Sequence, residues 1–212
     1  MTTAATGDTS ALEVLPLFPL QAVLFPDGLL GLKVFEARYL DLVARCLRDR
    51  TSFGVVALTR GSEVRRTDQP DVAFEPVGTR AEVLEVDSVQ TGILQVRCRG
   101  GARFEVKSRH QQDDGLWVAG TRPIGADEAL APTPALAAAV RGLADAMAAL
   151  EVQNTRPFLP PHRFDDAGWV ANRWCELLPI PLAAKQKLME LRDPMMRLEL
   201  VDDFLRQKGV LP

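Results

Sequence analysis

The sequence predicts an α+β fold in which an antiparallel β half comes first and a helical third follows. Three observations lead there. Short runs rich in Val, Ile, Leu and Phe, separated by Gly, Asp and Pro, fill residues 14 to 124; one amphipathic stretch interrupts them; and after Ala131-Pro-Thr-Pro134 the composition turns to Ala, Leu and Met. With 212 residues, 47% of them hydrophobic and 25% charged, the chain can bury a core without disulfides.

The predicted strands are Val14–Phe18, Leu29–Phe35, Phe53–Thr59, Val77–Val89, Ile93–Arg99, Arg103–Arg109 and Leu116–Thr121. Between the second and third, Glu36–Arg50 reads as a helix with Leu40, Val43 and Leu47 on one stripe, which should lie against the sheet. The pattern around Gly100-Gly101 predicts a hairpin. Val96, Cys98, Phe104 and Val106 alternate with Arg97, Arg99, Arg103, Glu105 and Lys107, and only an odd loop, Gly100-Gly101-Ala102, keeps the apolar set on one face. That register puts Cys98 opposite Phe104 and Arg97 opposite Glu105, with a bulge carrying a left-handed Gly.

Farther on, Leu136, Val140, Leu143, Met147 and Leu150 mark a helix with a narrow apolar stripe. Pro157, Pro160 and Pro161 make residues 153 to 163 a loop, with Phe158 and Leu159 as possible anchors. Asp165 or Asp166 can cap a helix bearing Trp169, Val170 and Trp174, which Pro179 stops; Pro181 opens the next. Asp193-Pro194 begins the last, with Leu198, Val201 and Leu205 on its stripe and Gly209 at its end. The expected organisation is a disordered arm at residues 1–10, a β subdomain at 11–131 and a helical subdomain at 132–212.

Charge and motif content narrow the function. The 25 Lys and Arg against 28 Asp and Glu leave a formal net charge of -3, which supplies no broad positive field for a phosphate backbone. The sequence contains no GxxxxGK[ST] loop, no GxGxxG after a strand, no HExxH, no GxSxG and no Cys/His metal spacing, so the expectation is no cofactor, no metal and no catalytic residue. Cys46, Cys98 and Cys175 are odd in number and widely spaced, and read as buried thiols. No secretory leader and no apolar run long enough for a bilayer is evident, so a cytoplasmic location without membrane contact is expected.

A series of short motifs, in order, covers nearly the whole chain: Leu15-Pro-Leu-Phe-Pro-Leu20, Val23-Leu-Phe-Pro26, Phe35-Glu-Ala-Arg-Tyr39, Phe53-Gly-Val-Val56, Val77-Gly78-Thr79, Gly101-Ala-Arg-Phe104, Leu178-Pro179 and Lys185-Gln-Lys-Leu-Met-Glu190. Together they resemble the N-terminal substrate-binding domain of Lon proteases. The resemblance implies a PUA-like β pseudobarrel with one packed helix, followed by a C-terminal helical bundle. It also implies recognition of unfolded or apolar-rich polypeptide by a stand-alone unit without ATPase or protease modules, and admits self-association as a homodimer. Ala37, where the family often has Pro, is a modest departure.

Binding without catalysis needs exposed apolar surface or an open strand edge. Phe35, Tyr39, Trp117 and Phe158, large side chains near element ends, are the candidate peptide-binding residues, with core packing as their competing role. The alternative function is a nucleic-acid-binding PUA-like domain using the basic hairpin Arg97–Arg109; the net acidity and the absence of aromatics on that face weigh against it.

Overall fold

The computed structural model describes residues 11–61 and 72–211, apart from the side chain of Val89. The arm expected at residues 1–10 lies outside the described residues. Strands β1 (Glu13–Leu20), β2 (Leu29–Val34), β3 (Phe53–Arg60), β4 (Ala73–Gln90), β5 (Ile93–Gln111) and β6 (Trp117–Pro123) form one six-stranded sheet. Helix α1 (Ala37–Asp49) lies between β2 and β3. After β6 come a 3-10 turn (Pro134–Leu136) and helices α2 (Ala137–Val152), α3 (Ala167–Leu177), α4 (Leu182–Glu190) and α5 (Pro194–Gln207). The fold is mixed α+β.

The sheet order is β2-β5-β4-β3-β1-β6, and β6 also pairs back onto β5. Strands β5, β4, β3, β1 and β6 therefore pair in a closed cycle, and β2 stands outside it with β5 as its single strand neighbour among the described residues. One expectation fails here: β1 and β3 are parallel, with Leu17 opposite Gly54, because the chain returns from β1 through β2 and α1 rather than through a tight turn. Strand β1 has a partner on each side. Residues 13–17 pair with β6 and residues 17–20 with β3, so Pro16 and Pro19 each interrupt a ladder on one side only.

The larger correction concerns Gly100-Gly101. No hairpin forms there: β5 runs unbroken from Ile93 to Gln111, and the glycines with positive φ among the described residues are Gly61, Gly92, Gly115 and Gly209. The turn lies earlier, at Thr91-Gly92, with Gln90 opposite Ile93. Cys98 accordingly pairs with Val83, Phe104 with Gly78 and Arg97 with Glu85. Gly101 and Ala102 do form a bulge, facing the single residue Arg80 of β4. At this bulge β5 changes neighbours on one edge: residues 94–99 pair with β2, and residues 104–111 pair with β6.

The glycine at 100 answers a need for close approach. The Asp27 N–H donates to the Gly100 carbonyl at 2.7 Å and the Gly100 N–H to the Gly28 carbonyl at 2.9 Å. A Cβ on Gly100 would overlap the Phe25 carbonyl oxygen, whereas one on Gly101 would meet first the end of the Glu82 side chain at 3.3 Å.

Helix α1 packs on the sheet through Tyr39, Leu42, Val43 and Cys46, which join Phe18, Phe53, Val55, Val96 and Cys98 in one core cluster. The buried stripe is thus offset from Leu40, Val43 and Leu47. Leu47 is exposed, and the 39/42/43/46 set includes a tyrosine and a cysteine that a purely aliphatic count passes over. A second cluster unites helices α2, α3 and α5 around Leu143, Trp169, Trp174, Leu198 and Leu205, and receives Phe25 from the loop after β1. Asp166 accepts from the Trp169 N–H at 3.1 Å, and Asp193 from the Met195 and Met196 N–H groups at 2.9 and 3.0 Å, capping α3 and α5.

Buried arginines join helices to sheet. Arg173 of α3 donates to the carbonyls of Asp27 and Pro26 at 2.6 and 2.8 Å. Arg103 of β5 donates to the Met189 and Leu191 carbonyls and pairs with Asp127, while Arg197 of α5 meets the same Asp127 at 2.7 Å.

Replacing Gly100 by Ala should cost about 2–4 kcal/mol through forced displacement of the Phe25 carbonyl, while Gly101→Ala should stay within about 1 kcal/mol of the parent. Urea denaturation of both variants tests this; equal losses would return the Gly-Gly pair to a turn role.

Candidate functional site

An apolar groove of about 340 Å³ opens between β2, the end of β1 and the start of α1. Leu30, Leu32 and Val34 of β2 form one wall, Phe18 and Leu20 of β1 with Ala22 the other, and Tyr39 lies among them. Alternation explains the wall: successive β2 side chains point to opposite faces, so Leu30, Leu32 and Val34 join the α1 core cluster while Gly31 and Lys33 are exposed. Tyr39 is buried and stacked on Phe18, with ring centroids 3.8 Å apart and planes 7° from parallel. Phe35, at the exit of β2, is 48% exposed and stands at the rim.

The structure brings two of the four candidate residues together here, Phe35 and Tyr39. Trp117 lies elsewhere, on β6, half-buried and edge-on to Phe74 at 5.5 Å under the Arg109 guanidinium. Phe158 is buried against Trp169 and Arg173, and a β-bridge to Gly28 fastens its loop to the sheet. Phe18, Leu20, Leu30 and Leu32 are the groove residues that inspection of single aromatics misses. The run Leu29-Leu-Gly-Leu-Lys-Val34, an apolar strand with one charge, was the available signal.

The basic face behind the nucleic-acid reading does not exist as a free surface. Arg97 pairs with Glu85 at 2.7 Å, Lys107 with Glu105 at 2.6 Å, Arg99 with Asp27, and Arg103 is buried on Asp127. Arg109 lies over the Phe74 ring. With the hairpin absent and four of these five cations paired with carboxylates, the alternative function loses most of the free positive charge it called on.

A second hollow, about 460 Å³, separates the β5 bulge from α3 and is polar. Asp27 takes both Arg99 and Arg163 there, and Asp127 takes Arg103 and Arg197. Its carboxylates and guanidinium groups are largely spent on one another, so it reads as a joint between sheet and helices. Among the described residues no cluster of three His, Cys, Asp or Glu could hold a metal, and no helix is long and apolar enough to cross a membrane.

Comparison with known proteins gives this geometry a family. The model of the ATP-dependent protease La (LON) substrate-binding domain matches residues 14–207. The chain belongs to the Lon substrate-binding domain family. A solved Lon N-terminal domain protein from Xanthomonas campestris is 32% identical, with a TM-score of 0.68 over 90% of this chain and 97% of that one. The N-terminal domain of a Mycobacterium avium complex Lon protease, 15% identical at a TM-score of 0.60, shares the fold. Among curated relatives, a Lon protease of Xanthomonas oryzae is 28% identical over 88% of this chain and Lon protease 2 of Myxococcus xanthus 26% over 92%. The chain spans 22% and 24% of their respective lengths.

In this Lon-family domain one group at the joint titrates in an unusual range. Burial pushes the Glu176 carboxyl up from 4.5 to about 7, against the opposing pull of Arg173 and Lys185. Its Oε1 accepts from Arg173 at 2.9 Å. The folded state therefore holds a proton that the unfolded chain releases near pH 4.5, so stability should fall as pH rises from about 4.5 through 7, by about 1–3 kcal/mol. Urea denaturation across that interval should show this slope in the parent and its loss in Glu176→Gln; identical slopes would contradict it.

Proposed function

We propose that this Lon-family domain is a non-catalytic polypeptide-binding module that takes unfolded or apolar-rich chains at the groove between β1 and β2. The observation that supports it best is the pairing of an open apolar groove with a large exposed aromatic, Phe35, at its rim. We read the closed strand cycle as a PUA-like pseudobarrel and helices α2 to α5 as a bundle that braces it. Residues 11–131 then carry the groove, residues 132–212 support it, and Phe35 and Tyr39, which line the same groove, supply the contact. Trp117 and Phe158 act in packing. The family match to a substrate-binding domain favours polypeptide over other ligands, and a cytoplasmic setting suits that role.

Desorbing water from Phe35 and the leucines of the wall drives the association, while ordering an unfolded chain opposes it. The net affinity should be micromolar or weaker, and independent of ATP. Fluorescence anisotropy with a labelled, reduced and carboxymethylated protein should show saturable binding with Kd below about 0.1 mM. Phe35→Ser should weaken it about tenfold, the share expected of one half-exposed phenylalanine. Absence of saturation up to that concentration, or indifference to Phe35→Ser, would contradict the assignment.

A further inference from the structure

We infer that β2 captures its ligand as an added strand: an extended segment of another polypeptide, apolar at alternate positions and acidic at those between, hydrogen-bonds along the free edge of β2. This rests on the polypeptide-binding reading and specifies its mode. Among the described residues β2 has one strand neighbour, β5, with Leu29 opposite Arg99 through to Val34 opposite Leu94. The Gly28 carbonyl accepts from Gly100 on the β5 side. By antiparallel alternation the main-chain groups of Leu30, Leu32 and Val34 turn to β5 and those of Gly31 and Lys33 turn away from it, while Leu29 adjoins the bridge between Gly28 and the Phe158 loop. A row of donors and acceptors thus runs beside an apolar groove, and a segment of about five residues fits its length.

Side-chain pattern follows from the same register. A strand laid against β2 alternates as β2 does, so every second side chain enters the groove beside Phe18, Leu20, Leu30 and Leu32, and the others share the face of Gly31 and Lys33. Only two charged residues line the groove. Glu36 is paired with Arg38 at 3.0 Å, while Lys33 is exposed and has no ion pair among the described residues. On the outer face Arg97 and Arg99 are already matched by Glu85 and Asp27. The uncompensated charge beside the edge is therefore the Lys33 ammonium, and it selects carboxylate side chains on the incoming strand. A second copy of this chain would instead bring another Lys33 to that face.

Gly31 makes the idea testable, because a Cβ there meets no atom within 4 Å and its N–H is on the free side. Gly31→Pro deletes that donor without touching the β2–β5 ladder, and Gly31→Val keeps it. The probe is a fluorescein-labelled octapeptide of alternating Val and Glu, followed by anisotropy with the full chain. Gly31→Pro should bind at least about tenfold more weakly than Gly31→Val, the two differing in whether the outward N–H is kept. If Gly31→Pro fails to fold, a probe N-methylated at alternate residues, tested on the parent, should show the same loss. Lys33→Glu should reverse the preference for Val/Glu over Val/Lys peptides by about tenfold or more at low salt.

Equal binding of the methylated probe, or of Gly31→Pro, would overturn strand addition. If denatured protein still bound to Gly31→Pro with parental affinity, the groove reading would survive alone; if the parent bound neither probe, both would fall. A dimer in sedimentation that Gly31→Pro dissociates would assign the edge to a second copy and likewise overturn the proposal.

Discussion

The rest of the molecule depends on the main-chain exchange between Asp27-Gly28 and Gly100. There β5 gives up β2 as a neighbour and takes β6, which lets five strands close on themselves while the sixth remains outside. A strand added to a closed cycle through one partner keeps its other side free, and the groove lies along that side. Two residues before this exchange Phe25 is fully buried among the helices while Leu24 beside it joins the α1 cluster, so a single loop touches both cores.

Arginines hold that loop and the helices in place, at a cost that only dense bonding offsets. Taking a guanidinium out of water costs several kcal/mol unless its donors are met. Arg173 meets two carbonyls and Glu176; Arg197 meets Asp127, Asn172 and two carbonyls. Planar donors reaching several main-chain carbonyls suit a joint between sheet and helices better than apolar contact alone, because they also fix orientation. The same pairing explains why a chain with many arginines near β5 offers no free basic surface.

Much of this architecture was legible in the sequence where the signal was local. Alternation placed the strands within a few residues, Asp166 and Asp193-Pro194 announced helix starts, and the ordered motifs from Leu15 to Glu190 pointed to the family that the match over residues 14–207 then showed. What stayed hidden was non-local. Gly100-Gly101 looks the same in a turn as in a strand approached by another backbone, and only the position of Phe25, 75 residues away, decides between them. The parallel pairing of β1 and β3 depends on a crossover through α1. The groove escaped for a related reason: single aromatics attract notice, whereas a wall of Leu30 and Leu32 against Phe18 and Leu20 exists only once β1 and β2 are side by side. Nothing local marks Arg173 as buried, and Asp27 shows only through Pro26-Asp27-Gly28, a turn in which Asp27 adopts a left-handed φ of 59°.

A strand edge reads main-chain pattern before it reads side chains, which suits the unfolded chains proposed as its ligands. The most direct measurement is residue-resolved amide hydrogen exchange on the full chain, with and without a saturating unfolded polypeptide. The outward amides of Gly31 and Lys33 should slow on binding, while amides at the far β4–β5 turn around Gly92 keep their rates. Unchanged exchange along β2 in the saturated complex, with protection appearing at another surface, would contradict the account.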